Sequence, residues 1–209
     1  MAKISVLGAG SWGTALSLLL HNNGHEVILW SIIEDEVKML QQKRQHESKL
    51  PGVKLPDEME ITSDLSYSVK DRDVLILAVP SPFTRSTAHS MRELVRDGQI
   101  LVNVAKGIEE STLMTLSEII EQEIPQADVA VLSGPSHAEE VGRGLPTTCV
   151  VSARSRKTAE YLPALRMVWA TGITRKLRLS LVESLKLRGW AFRWVPDLRL
   201  YTGYQAWEI

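Results

Sequence analysis

Short apolar runs recur along the first 150 residues, each followed by a longer stretch with apolar positions at helical spacing. Residues 3–7 (KISVL) read as a buried strand, and residues 14–22 (TALSLLLHN) as a helix. Gly24 closes that helix in the usual C-cap position, and residues 26–30 (EVILW) form a second strand. Strand, glycine turn, helix and strand within some 30 residues make a parallel βαβ unit. Residues 34–48 read as a polar helix, and residues 49–57 (KLPGVKLPD) as a loop set by two prolines and a glycine. After a short segment at Ile61 and Thr62, Asp64 is placed to cap a helix starting at Leu65.

The alternation continues. Residues 73–79 (DVLILAV), 100–104 (ILVNV) and 129–132 (VAVL) read as strands covered on both faces, with helices expected over 87–95 and 113–123. Residues 148–152 are expected to be the last strand. The pattern predicts an α/β fold: a Rossmann-like, doubly wound, mostly parallel sheet. Ligands of such sheets sit beyond the carboxyl ends of the strands. Five polar segments fall there: 8–13, 31–34, 80–82, 105–109 and 133–140.

Composition narrows the classes. Of 209 residues, 44% are hydrophobic, and the net charge is -1, which gives no global electrostatic case for nucleic acid or an anionic membrane. No apolar run reaches the roughly 20 residues a membrane helix needs, and no secretory signal is recognisable. The single cysteine, Cys149, lies in an apolar run and reads as a core residue. These features lead to a cytoplasmic expectation. The charge is uneven, however: residues 163–209 carry a balance of +5 and four of the six tryptophans, against -6 for residues 1–162. The composition therefore breaks near Leu162.

The first polar segment, Gly8-Ala9-Gly10-Ser11-Trp12-Gly13, follows a strand and opens a helix, the context in which G-x-G-x-x-G marks a dinucleotide site. Gly8 permits the tight turn, Gly10 lets backbone N–H groups approach a pyrophosphate, and Gly13 lets helix and strand pack closely. The helix N-terminus adds oriented donors. At the end of the second strand an acidic residue selects NAD and an arginine NADP. The chain reads Trp30-Ser31-Ile32-Ile33-Glu34, with neither signature in place, so NAD and NADP both stay open. Lys106, followed by Gly107 at the mouth of the sheet, is placed to hydrogen-bond a carbonyl oxygen and stabilise negative charge during hydride transfer. Nothing in the sequence points to a metal.

Four motifs occur in order: GAGSWGTAL, LAVPS, NVAKGIE, and LSGPSHAEEV followed by LPTT. Over residues 2 to 162 they resemble the bacterial NAD(P)-dependent glycerol-3-phosphate dehydrogenases. The resemblance implies reversible interconversion of sn-glycerol 3-phosphate and dihydroxyacetone phosphate, feeding phospholipid synthesis, in a family that is often homodimeric. It implies that Ser11, Trp12 and Ala138 contact the cofactor, that Gly134 and Ser136 line the substrate side, and that Lys106 touches both. His137 is expected to pack or to order its loop. Two other readings stand beside it: another 6-phosphogluconate-type dehydrogenase, and a non-catalytic nucleotide-binding protein with a basic interaction tail.

After Leu162 the resemblance stops. The family continues with a helix bearing a second lysine, the expected proton donor, and then an all-helical substrate domain. Residues 163–209 match neither. Codons chosen for Leu162 to Gly172 and read from the third base can spell AGFADGLGYG. Those for Thr202 to Ile209 and a stop can spell GLSGMGDL in the same frame. Both strings resemble family segments in the right order, so residues 163–209 are expected to be a frame-shifted, poorly structured tail. Residues 1–162 are then the NAD(P)-binding domain of a chain that is catalytically incomplete.

Overall fold

The computed structural model describes residues 1–134, 136–145, 147–166 and 170–174. Among the described residues eight strands make one sheet: β1 (Lys3–Leu7), β2 (Glu26–Trp30), β3 (Glu60–Thr62), β4 (Val74–Leu77), β5 (Ile100–Asn103), β6 (Asp128–Ser133), β7 (Thr148–Ala153) and β8 (Ala170–Thr174). Their order is β3-β2-β1-β4-β5-β6-β7-β8. β1 to β6 run parallel, β7 is antiparallel to β6, and β8 is parallel to β7. The chain therefore reverses direction of travel at β1, which pairs with β2 on one side and β4 on the other.

Side chains of one strand alternate between two cores. Ile4, Val6, Leu29, Ile76 and Leu132 face the layer built by α1 (Ser11–Asn22), α2 (Glu34–Lys43) and α7 (Arg156–Ala164). Leu7, Trp30, Leu77, Leu101 and Val131 face the opposite layer, with α3 (Leu65–Val69), α4 (Thr84–Met91) and α5 (Leu116–Glu123). Burial on both faces explains why these strands are continuous apolar runs. The sheet is doubly wound and mostly parallel, as the pattern predicts.

Helix boundaries move for identifiable reasons. α1 begins at Ser11, three residues before the expected start, because Gly10 itself is the N-cap. α2 ends at Lys43 rather than at residue 48: Arg44 turns left-handed at φ 50°, and His46 is then buried instead of continuing a polar face. α4 begins early, at Thr84, behind a 3-10 turn at Ser81–Phe83. α5 begins at Leu116, not at residue 113. Thr115 accepts from the Glu118 N–H, while Glu118 reaches back to the Thr115 N–H, a capping box. The Asp64 cap is as expected, its carboxylate accepting from the Tyr67 N–H at 3.0 Å.

β7 is not the last strand, since β8 lies beyond it. The expected break after Leu162 falls inside α7, and Leu162 and Leu165 are both buried against the first core. The rest of the expected tail, residues 175–209, lies outside the described residues, as do 167–169.

Candidate functional site

The carboxyl ends of β1, β4, β5 and β6 open on one cleft of about 750 Å³. Its walls come from the start of α1, the turns after β4 and β5, the segment from Ser136 to Glu140, and Lys49. Four of the five polar segments read from the sequence supply residues to the cleft. Residues 31–34 do not line it.

Each glycine of the first turn has its own steric reason. Gly8 sits at φ +118°, and a Cβ there would lie 2.7 Å from the Ala78 carbonyl oxygen. A Cβ on Gly13 would lie 1.9 Å from the Gly8 carbonyl oxygen, so α1 can pack this close only without one. A Cβ on Gly10, by contrast, meets no heavy atom within 4 Å. The space above Gly10 is open, at the N-terminus of a 12-residue helix with no side-chain cap and no carboxylate in its first turn. That fits the pyrophosphate of a dinucleotide, which needs oriented N–H groups and close backbone approach. Ser11 and Trp12 stand beside this opening.

Lys106 lies just past β5, exposed on the cleft wall. Its turn is fixed from both sides. Buried Asn103 accepts from the Ala105 N–H at 3.1 Å. Gly107, at φ +131°, passes so close to Ser81 that a Cβ would lie 2.7 Å from the hydroxyl oxygen. Three residues beyond Lys106, Glu109 is gripped by Arg85 of α4 through two bonds of 2.7 Å. The same guanidinium donates to Gln122 and Glu123 of α5, each at 2.8 Å. The bonds from Arg85 and Thr112 hold the Glu109 carboxyl down at about 2. Arg85 and Glu109 are residues that the sequence reading did not single out.

Ser136 is buried, and its hydroxyl donates to the Gly134 carbonyl at 3.4 Å. Gly134 is half-buried and does not line the cleft, whereas Ser136 does. Ala138 packs with Trp12 against Ala15, Leu50, Val53 and Val141. The packing expected of His137 is corrected: its side chain is exposed on the cleft wall. Its main chain starts α6 (Ala138–Gly142), with its carbonyl accepting from the Val141 N–H at 3.1 Å. Cys149 is buried, 1% exposed.

The loop after α2 brings in a cluster that spacing could not show. Glu36 accepts from Ser31 Oγ at the end of β2, from His46 Nε2 at 2.9 Å, and from Lys49 Nζ. Burial pushes the Glu36 carboxyl up, but the bonds from Lys49, Ser31 and His46 outweigh it and leave it below the usual carboxylate range. Among the described residues no group of three or more His, Cys, Asp or Glu could hold a metal ion, and no helix is long and apolar enough to cross a membrane.

Comparison with known proteins meets this geometry. Residues 3–159 match the family model described as NAD-dependent glycerol-3-phosphate dehydrogenase N-terminus. The glycerol-3-phosphate dehydrogenase [NAD(P)+] of Agathobacter rectalis is 61% identical over 167 residues, covering 80% of this chain and 50% of the relative. The chain thus spans about half the length of the curated relatives it matches. The crystal structure of the glycerol-3-phosphate dehydrogenase of Coxiella burnetii superposes with a TM-score of 0.74 at 31% identity, over 78% of this chain and 50% of that one. A UDP-D-ManNAc dehydrogenase from Pyrococcus horikoshii, TM-score 0.68 over 88% of this chain and 49% of that one, shares 15% of residues and hence the fold alone. A glycine loop with its steric demands met, a lysine turn and a Ser136 turn on one cleft, and a family match over residues 3–159 lead to one statement: the chain belongs to the NAD(P)-dependent glycerol-3-phosphate dehydrogenase family.

Proposed function

We propose that this chain supplies the dinucleotide site and the first lysine of an enzyme moving hydride between C2 of sn-glycerol 3-phosphate and a nicotinamide ring. The product of the forward direction is dihydroxyacetone phosphate. The observation that carries the reading is the meeting of the α1 N-terminus, Lys106 and Ser136 on one cleft. In this reading Gly8 and Gly13 shape the turn, while Gly10, Ser11, Trp12 and Ala138 hold the cofactor. Ser136, with Gly134 behind it, faces the substrate. Lys106 contacts both partners, its ammonium placed to stabilise negative charge on the substrate oxygen. When bound, the nicotinamide supplies the hydride acceptor or donor. Such an enzyme works beside cytoplasmic pools of its cofactor and feeds phospholipid synthesis.

The reading assigns completion of the substrate side to sequence that the longer relatives carry and residues 1–162 do not. Fluorescence titration with reduced cofactor tests the binding half. Saturable binding by this chain, weakened at least tenfold by Lys106→Ala with unchanged far-ultraviolet circular dichroism, is expected. Steady-state assay with dihydroxyacetone phosphate tests the other half. Little or no turnover is expected, and turnover matching a full-length relative defeats the claim that residues 1–162 are catalytically incomplete.

A further inference from the structure

In sheets of this kind the ribose of the dinucleotide is read just beyond the second strand, where a carboxylate binds the 2′-hydroxyl and an arginine accommodates a 2′-phosphate. β2 ends at Trp30 and buried Ser31. The next two side chains, Ile32 and Ile33, are hydrocarbon, 77% and 53% exposed. No arginine occurs between Trp30 and Lys43. α2 then opens with three carboxylates, Glu34, Asp35 and Glu36. One of them folds back: Glu36, with its side chain 9% exposed, takes the Ser31 hydroxyl and so brings a negative charge to the end of the strand.

The nearby cations are already engaged. Lys38 lies 3.8 Å from Glu34 and 3.7 Å from Asp35. Lys49 donates to Glu36 while standing on the wall of the cofactor cleft. Recruiting Lys49 to a phosphate strips the largely buried Glu36 of its ammonium partner, a costly exchange away from water.

We propose that the Ser31–Glu36–Lys49 cluster makes this a site for the dinucleotide without a 2′-phosphate, preferring NAD to NADP. The assignment rests on the nucleotide reading above and adds the choice of cofactor to it. A 2′-phosphate meets an anionic helix start and two hydrocarbon side chains. A 2′-hydroxyl meets a hydrogen-bonded carboxylate and serine that can reorganise around it.

The test is titration of the whole chain with NADH and with NADPH, followed by cofactor fluorescence. NADH is expected to bind at least tenfold more tightly. Ile32→Arg, at an exposed position with no packing to lose, is expected to tighten NADPH at least tenfold and leave NADH within about twofold. Glu36→Gln is expected to narrow the NADH-to-NADPH ratio; if it fails to fold, the Ile32→Arg comparison decides alone. Equal affinities, or tighter NADPH, overturn the preference and leave the nucleotide reading intact. An unchanged ratio in Ile32→Arg overturns the placement of the selecting residues. If neither cofactor binds at millimolar concentration, the nucleotide reading fails and the preference falls with it.

Discussion

Three glycines five residues apart end to end carry three different burdens, and substitution separates them. Gly8→Ala and Gly13→Ala force a Cβ to within 2.7 Å and 1.9 Å of backbone carbonyl oxygens, so each is expected to destabilise the fold by about 1–3 kcal/mol or more. Gly10→Ala meets nothing within 4 Å and holds a φ of -66° that alanine adopts; alanine is the poorer N-cap but loses less freedom on folding, so the stability is expected to change by less than about 1 kcal/mol. Its cofactor affinity, in contrast, is expected to drop at least tenfold as the methyl fills the space above the helix. Denaturant unfolding and fluorescence titration on the same three variants check the split. Full affinity in Gly10→Ala contradicts the placing of the pyrophosphate. These burdens were legible in the sequence because they are local and steric. Glu36 was not: Glu34 is the nearer acid in sequence, and only the return of the chain through His46 and Lys49 determines which carboxylate reaches Ser31.

At the level of elements, the turn bearing Lys106 is tied to two helices by one guanidinium. Arg85→Met removes the partner of Glu109 and Glu123, and the expected result is a lower melting temperature at neutral pH. The pH dependence fixes the cause. The folded Glu109 carboxyl is depressed to about 2 from the ordinary 4.5, so its contribution is present above 4.5 and is lost as pH falls towards 2. The gap in stability between the natural chain and Arg85→Met is therefore expected to narrow across that window, as read by thermal melts at several pH values. A gap independent of pH means that Arg85 acts through packing alone. Sequence pattern gave the helices on either side of this tether but misplaced their starts. At α5 the start is marked by the cap pattern Thr115-Leu116-Ser117-Glu118, two residues beyond the apolar Leu113 at which the apolar spacing alone begins. At α2 no local signal marked the stop, because burial of His46 against Glu36 is a tertiary event.

For the whole molecule, the doubly wound, mostly parallel sheet and its two covered faces followed from alternation of strands and helices, whereas the far edge of the sheet did not. Leu165 is buried, its carbonyl 3.0 Å from His25 Nε2, and the Arg166 carbonyl accepts from Asn23 at 2.8 Å. These contacts tie the end of α7 to the α1–β2 turn across 140 residues of sequence, beyond the reach of any local pattern. A chain ended after Arg166 is accordingly expected to exceed one ended after Leu162 by roughly 2 kcal/mol in denaturant unfolding, about the worth of one buried leucine. Equal stabilities contradict the role given to these contacts. The same edge holds the sole thiol of the sequence, Cys149, 1% exposed in β7, a strand antiparallel to β6 and parallel to β8. A thiol in that position reacts with a reagent in solution only while its strand has left the sheet, so its labelling rate is a clock for that excursion and needs no introduced probe. Run with and without dinucleotide, the clock measures how far binding at the strand ends slows the opening of the sheet's edge.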